Sequence, residues 1–101
     1  MAISITSTTN GRQFTITLDG KLDHYALQQF CDSYEAAPAG TEHYRIDMEK
    51  LKAIDSSGLG MLLLLQDHAG GTRERVHLVN ASHNVLKVLR IAHYEDLFEI
   101  N

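Results

Sequence analysis

The regular succession of strand-like and helix-like segments limits most strongly how this chain can fold. The first two strand-like segments, "ISITS" and "QFTITLDG", alternate apolar and polar residues and flank Asn10-Gly11, a pair typical of hairpin turns. The segments "YRIDM", "RVHLVN" and "DLFEI" predict three more strands, and a segment of helical pattern precedes each of them. The predicted order is β-β-α-β-α-β-α-β.

Each of the three predicted helices follows a residue suited to a helix start. Asp23 precedes the first helix, and the second runs from Ser57 to about residue 69. Ser82 precedes the third helix, in which Val85, Val88 and Leu89 are predicted to face inward. Four residues at helical spacing form the apolar face of the first helix: Leu27, Phe30, Cys31 and Tyr34.

Some boundaries and facings are predicted as well. Gly20 ends the second strand, and "EKLKA" forms a short link between the third strand and the stretch "IDSSGLG". The run "MLLLL" divides between two sides of the second helix. Leu59 and Met61 are predicted to lie near a surface that meets another protein. Three residues are predicted to pack on the sheet: Leu62, Leu63 and Leu65.

Strands that alternate with helices predict an α/β fold, because each helix carries the chain across the sheet to a parallel strand. The opening hairpin adds an antiparallel pair, so the predicted sheet is mixed but mostly parallel, with helices packed on it. The length of 101 residues suits one domain, predicted to span residues 1–101. Cys31 is the only cysteine, which excludes an intrachain disulfide and favours a reducing compartment.

The charges argue against nucleic acid or an anionic membrane as a partner. The formal net charge is −4, and the nine Lys and Arg residues are scattered singly. The N-terminal stretch lacks the basic start and apolar segment of a signal peptide. "MLLLL" is far shorter than the roughly 20 apolar residues that a membrane-crossing helix needs. We therefore expect a cytoplasmic monomer that does not insert into a membrane.

The stretch "IDSSGLG" at residues 54–60 permits two interpretations. The structural one is a tight corner between a strand and a helix, because Asp and Ser cap helices and glycines let backbones approach closely. The functional one makes a serine hydroxyl the acceptor of a phosphate, which the N–H groups and macrodipole of the helix stabilise. The phosphate adds about −1.5 to −2 charges at neutral pH. Asp55 repels that charge, so the modified state is not locked in.

Two acidic residues are predicted to meet at one edge of the sheet. Asp23 follows the second strand, and Asp55 follows the segment of the third. In an open α/β sheet the carboxyl ends of parallel strands share an edge, where ligands and partners bind. The segments "GKLD" and "IDSSGLG" are therefore predicted to form one acidic patch that carries hydroxyl groups.

These segments also carry a resemblance to a known family. "GKLD" at 20–23, "RIDMEKLKAIDSSGLGMLLL" at 45–64 and "VHLVNAS" at 76–82 resemble STAS domains, and among them the bacterial anti-sigma factor antagonists. The resemblance extends over nearly the whole chain in the order of its elements. It implies a domain that binds an anti-sigma factor, often itself a serine kinase, and thereby releases a sigma factor to regulate transcription.

The resemblance further implies roles for individual residues. Ser56 matches the serine that a kinase phosphorylates and a metal-dependent serine phosphatase restores. Ser57 is its cap-forming neighbour and the alternative acceptor. The protein is then a substrate rather than an enzyme, with no catalytic residue, metal or cofactor expected. The predicted partner-binding surface comprises Asp23, His24, Asp55, Ser56, Ser57, Gly58, Leu59 and Gly60.

Three further functions compete with this one. A STAS subunit of a membrane complex, such as a lipid-exporting ABC transporter, has a similar motif but usually lacks the intact Asp-Ser-Ser. An enzyme would need a triad of Ser56, His24 and Asp23, but "DSSGLG" is not the G-x-S-x-G elbow of serine hydrolases. A metal site is disfavoured because the six histidines are dispersed rather than set at ligand spacing.

Overall fold

The computed structural model describes residues 3–101, so Met1 and Ala2 of the predicted domain lie outside the described residues. In the described part, five strands form one sheet in the order β1-β2-β3-β4-β5. β1 is antiparallel to β2, and the other neighbouring strands are parallel. The strands have these bounds: β1 Ser4–Asn10, β2 Gln13–Leu22, β3 His43–Ile54, β4 Val76–Val79 and β5 Glu99–Ile100.

Helices connect the parallel strands. The α-helices of residues 3–101 are α1 Leu27–Glu35, α2 Ser56–His68 and α3 His83–Ile91. Short 3₁₀ helices lie at His24–Ala26, Arg73–Arg75 and Tyr94–Asp96. The predicted α/β class, the mixed and mostly parallel sheet and the order of the elements are confirmed.

The opening hairpin forms as predicted, but its turn lies one residue later than the predicted pair Asn10-Gly11. Asn10 lies opposite Gln13, which leaves Gly11 and Arg12 as a two-residue turn. The φ of Gly11 is 61°, whereas Arg12 has no positive φ, and this combination is that of a type II′ turn. Glycine suits the first turn position because it has no Cβ to oppose a left-handed backbone.

Two predicted boundaries are wrong, because β2 and β3 pair over a longer stretch than expected. β2 continues through Gly20 to Leu22, and the segment "EKLKA" belongs to β3 rather than to a link. The pairing register shifts twice in this region, so β3 carries extra residues at two bulges, which interrupt its two-residue alternation. Beside the first bulge, the Asp47 carboxylate accepts the Glu49 N–H at 3.1 Å.

The buried side chains of the strands lie on one face of the sheet. Ile16, Ile46 and Leu78 align across β2, β3 and β4 and are fully buried. Leu62 of α2 and Leu89 of α3 join the same core cluster. The helices therefore pack on this face, which gives two layers. The opposite face carries half-buried polar side chains, among them Thr15, Thr17, Arg45, Asp47 and His77.

The inward side of the first helical segment differs from the prediction. Asp23 caps a 3₁₀ turn instead of the α-helix, and α1 itself begins only at Leu27. Ala26, the last residue of that turn, is buried, whereas Leu27 is exposed. Phe30 and Tyr34 are buried as predicted.

The facing of the leucine-rich run is partly as predicted. Leu62 and Leu65 are fully buried, but Met61 is buried as well and Leu63 is exposed, the reverse of the prediction for these two. The inward direction of α2 is set at its first turn, where Gly58 packs on the strands. Residues three, four and seven positions after Gly58 then share its face.

Candidate functional site

The carboxyl ends of β2 and β3 lie side by side. Leu22 is the register partner of Ile54, and the Asp55 N–H donates to the Leu22 carbonyl oxygen at 3.4 Å. Asp23 and Asp55 therefore leave their strands at the same edge, so the structure brings together the two segments that the sequence placed there. A depression of about 270 Å³ lies between them, lined by Lys21, Leu22, Asp23, Ala53, Ile54 and Asp55.

Asp55 is the N-cap of α2. Its backbone is extended, and its carboxylate accepts the Gly58 N–H at 2.9 Å while its carbonyl accepts the Leu59 N–H at 2.9 Å. The prediction that Ser57 forms the cap is wrong, because the helix begins one residue earlier than expected, at Ser56. The Asp55 carboxylate thus satisfies one of the N–H groups that a helix start leaves without partners, that of Gly58, while its carbonyl accepts the first hydrogen bond within the helix.

The two serines occupy the first two positions of α2. Ser56 is exposed and Ser57 is half-buried. The hydrogen bonds of the described residues use the Asp55 carboxylate for the cap and leave both serine hydroxyls uncommitted. The Ser56 and Ser57 N–H groups have no helical carbonyl four residues back, so they remain available at the helix start. Ser56 is the more accessible hydroxyl of the pair.

Gly58 fixes how closely α2 approaches the strands. A Cβ at this position would lie 2.2 Å from the Leu22 carbonyl oxygen and 2.7 Å from Cγ1 of Ile54. Only glycine permits that approach without a shift of the backbone. Gly60 is different, because a Cβ there would meet no atom within 4 Å. The expectation of close backbone contact therefore holds at Gly58 and fails at Gly60.

Asp23 and His24 lie at the start of the 3₁₀ turn beside this edge. The Asp23 carboxylate accepts the Tyr25 N–H at 3.1 Å. The His24 and Tyr25 rings stack with their centroids 3.9 Å apart, and Tyr25 is 84% exposed. From the sequence, Tyr25 and His24 beside Asp23 are expected to tune the choice of partner, and that role stays a prediction.

An exposed apolar side of α2 continues from Ser56. Residues four and seven or eight positions after Ser56 share its face of a helix, and these are Gly60, Leu63 and Leu64. Leu63 is 40% exposed and Leu64 is 48% exposed. Leu59 lies further round the helix and is only half-buried. The surface around Ser56 is therefore small and apolar rather than charged along α2.

Leu59 also ties α2 to the segment that follows α3. The Tyr94 hydroxyl donates to the Leu59 carbonyl oxygen at 2.7 Å. Burial raises the pKa of Tyr94, so the phenol keeps the proton that it donates. The Gln66 side-chain amide also donates to the Leu97 carbonyl, so a second contact joins the same two segments.

The residues at this edge do not assemble an acid–base triad. Within residues 3–101, the Asp23 carboxylate is used as a cap and the His24 ring stacks on Tyr25, and no hydrogen bond joins either to Ser56. No three His, Cys, Asp or Glu side chains of the described chain cluster closely enough to hold a metal ion. Among the described helices, none has the length and apolar character to cross a membrane.

The five-stranded mixed sheet with helices on one face defines the class of protein: a small SpoIIAA-like α/β domain. The chain belongs to the STAS domain family, since a family model described as "Mlab, STAS domain" matches residues 5–99. A STAS-domain containing protein of Pseudomonas aeruginosa (strain UCBPP-PA14) is 42% identical over 101 residues, which cover the whole of both chains.

Solved structures share the fold. The unphosphorylated form of the anti-sigma factor antagonist SpoIIAA has a TM-score of 0.78 at 26% identity, covering 97% of this chain and 88% of SpoIIAA. The phosphorylated form of the Bacillus SpoIIAA has a TM-score of 0.70 at 24% identity, covering 99% of this chain and 91% of the other. A sulfate transporter family protein from Wolinella succinogenes, 13% identical over 91% of this chain and 80% of its own, shares the fold alone with a TM-score of 0.73.

Proposed function

We propose that this chain is an anti-sigma factor antagonist controlled by phosphorylation of Ser56. Its unphosphorylated form binds an anti-sigma factor, often a serine kinase, and so releases a sigma factor to act in transcription. Membership of the STAS family and the likeness to SpoIIAA, an anti-sigma factor antagonist with structures of both phosphorylation forms, support this function. The protein is then a substrate of a kinase and a metal-dependent phosphatase, and not itself an enzyme.

The observation that carries the proposal is the position of Ser56. Its hydroxyl is exposed and uncommitted at the first residue of α2, on the edge where β2 and β3 end. Partners of open α/β sheets bind at such edges. Ser57 is half-buried beside it, which makes Ser57 the secondary acceptor.

A phosphate on Ser56 is both supported and opposed by its surroundings. The free N–H groups at the start of α2 and the positive end of its macrodipole stabilise the phosphate. The Asp55 carboxylate, already bound to the Gly58 N–H, repels it, and Asp23 adds negative charge at the same edge. This balance lets the modified state form without being locked, so a phosphatase can reverse it.

The same surface is suited to a partner when it is unmodified. Gly60 carries no side chain, Leu59 is half-buried, and Asp23 and His24 border them at the end of β2. A partner can therefore lie close to the start of α2. Phosphorylation brings a dianion into that contact, and an unpaired buried charge costs several kcal/mol. A loss of about 3 kcal/mol already weakens binding more than a hundredfold.

A second candidate is an assembly role as the STAS subunit of a membrane complex, such as a lipid ABC transporter. Two observations favour this role. The matching family model bears the description Mlab rather than that of an antagonist, and a sulfate transporter family protein has the same fold. In this function Ser56 is a contact residue without a phosphate, so the two candidates predict different modification states.

Mass spectrometry of the protein isolated from growing and stressed native cells tests the proposal. Affinity purification of the Ser56→Ala and Ser56→Asp variants from the same cells accompanies it. Ser82 offers a matched control, because it is also a serine at the start of a helix. Ser82→Asp adds a negative charge at the start of α3, outside the depression that Asp23 and Asp55 line.

The proposal requires a phosphate on Ser56 whose amount changes with growth conditions. It also requires a protein partner that Ser56→Ala and Ser82→Asp retain and Ser56→Asp loses. A complete absence of phosphate, together with equal recovery of all three variants in a membrane complex, would reject the switch and favour the assembly role. A phosphate found only on Ser57 would reject Ser56 as the acceptor.

A further inference from the structure

The two edges of the sheet are built very differently. β5 has two residues, and Arg73 holds it by donating to the Glu99 carboxylate at 2.6 Å and to the Glu95 carbonyl at 2.8 Å. β1 has seven residues, Ser4–Asn10, without a proline or a charged side chain. Natural sheets usually protect an exposed edge with charges, prolines or very short strands, because a free edge pairs with other strands. β1 has none of these protections.

The register of the hairpin determines which backbone groups of β1 are free. Asn10 and Gln13 close a two-residue turn, so these two residues form a hydrogen-bonded pair. Every second residue back along β1 forms the same kind of pair with its partner in β2, and these residues are Thr8, Thr6 and Ser4. Ile5, Ser7 and Thr9 alternate with these residues and direct their N–H and C=O groups away from β2. Three donors and three acceptors therefore form a row along the free edge.

We propose that β1 pairs antiparallel with β1 of a second copy of this chain, about a two-fold axis at Ser7. The two five-stranded sheets then join into one continuous sheet. In this register Ile5 lies opposite Thr9 of the other copy, Ser7 lies opposite Ser7, and Thr6 lies opposite Thr8. The row of free groups satisfies itself, and because the contact is isologous it closes as a dimer. This dimer replaces the monomer expected from the sequence.

The side chains of β1 suit a second copy. Thr6 and Thr8 lie on the exposed face of β1, and opposed threonines are a favourable cross-strand pair. No charged residue of β1 meets another, since the strand has none. The sequence of β1 is symmetric about Ser7 at Thr6 and Thr8, the two residues that the two-fold register places opposite each other.

Sedimentation equilibrium of the purified full chain over a wide concentration range tests the pairing. The wild type is expected to shift from one chain mass to two as its concentration rises. The double variant Thr6→Lys/Thr8→Lys places lysines opposite lysines and is expected to raise the dimer dissociation constant at least about tenfold. Thr6→Lys/Thr8→Glu places opposite charges in the same pairs and is expected to keep or tighten the dimer.

Thr15→Lys/Thr17→Lys is the matched control, because these residues are the register partners of Thr8 and Thr6 in β2 and lie away from the free edge. It is expected to leave the dissociation constant within about twofold of the wild type. A wild type that stays monomeric at every concentration overturns the proposal. The proposal is also overturned if both β1 variants weaken the dimer equally or if neither variant changes it. The two-fold register pairs residue 6 of one copy with residue 8 of the other, so only in this register do the two variants differ in the sign of the facing charges.

Discussion

The N-termini of α2 and α3 follow the same local plan but differ in what surrounds them. Each helix begins at the carboxyl end of a parallel strand, and each has a side-chain cap that accepts the N–H three residues on. Asp55 accepts the Gly58 N–H at 2.9 Å, and Ser82 accepts the Val85 N–H at 3.3 Å. The presence of a side-chain cap therefore does not distinguish the start of α2 from that of α3.

The difference lies in the second strand that reaches the start of α2. Leu22 of β2 accepts the Asp55 N–H and contacts Gly58, so two strand ends and a helix start share one edge. At α3 the serine itself is the cap, whereas at α2 an aspartate caps the helix and leaves Ser56 free. The two helix starts therefore differ in the residue that caps them and in the close contact between α2 and β2.

The close approach at Gly58 gives the largest expected effect. Gly58→Ala places a methyl group on the Leu22 carbonyl, so we expect a loss of about 3 kcal/mol in the free energy of unfolding. Gly60→Ala, in open space in the same helix, is expected to gain about 0.5 to 1 kcal/mol. Urea denaturation of both variants measures the contrast. Equal changes in the two variants would contradict the close packing of Gly58 on the end of β2, which is the contact that distinguishes the start of α2.

Removal of the caps compares the two helix starts directly. We expect Asp55→Ala to cost about 1.5 kcal/mol and Ser82→Ala about 1 kcal/mol, because the ionised cap also interacts with the helix macrodipole. Thermal unfolding at low and high salt checks this, since only the Asp55 effect is expected to shrink as salt rises. A larger loss at Ser82 would reverse the proposed order of the two caps.

The Tyr94 hydroxyl links the two helical segments and gives a smaller effect. Tyr94→Phe removes the bond to the Leu59 carbonyl and is expected to cost about 1 kcal/mol near neutral pH. Burial raises the pKa of Tyr94 above its ordinary value of 10.0, so the unfolded chain releases this proton first as the pH rises. The wild type should therefore lose stability as the pH rises above about 10.

Burial raises the pKa of Tyr34 and Tyr44 as well, so the alkaline loss of stability is shared by three buried phenols. Tyr94→Phe is expected to make that loss less steep without abolishing it. Urea midpoints measured from pH 8 upward provide the test. An unchanged slope in the variant would show that Tyr94 does not contribute to the alkaline dependence.

The smallest expected effect on stability is at Ser56 itself. Ser56→Ala removes an exposed hydroxyl that makes no bond within the described residues, so the free energy of unfolding should change by less than about 0.5 kcal/mol. Ser82→Ala, measured beside it, should cost more because its hydroxyl caps α3. A large loss at Ser56 would assign it a structural role and weaken the case for a free acceptor.

The order of elements and the shared edge could be predicted from the sequence because they depend on local patterns and on general rules of parallel sheets. The bulges of β3 could not be predicted, since they interrupt the very alternation by which a strand is recognised. The sequence therefore predicts a link around Glu49 and Lys50, whereas this segment pairs with β2. The pairing with β2, which is distant in the sequence, makes this segment part of β3, and a local sequence pattern does not reveal such pairing.

The candidate site was predictable to a similar extent. Asp23, Asp55 and Ser56 were placed correctly because strand ends and helix starts fix their backbone positions. The facing of Met61 and Leu63 could not be predicted, because every residue of "MLLLL" is apolar and the sequence sets no direction. The Gly58 contact with β2 sets it instead, through the start of α2.

The contact between Gly58 and Leu22 also has a consequence for folding. The start of α2 takes its native position only when the last residues of β2 and β3 have paired, and these segments are separated by about thirty residues of chain. A nascent or partly unfolded chain therefore displays Ser56 without its neighbours. A kinase that recognises the assembled edge would leave such chains unmodified, so the proposed phosphorylation of Ser56 would report on completed folding.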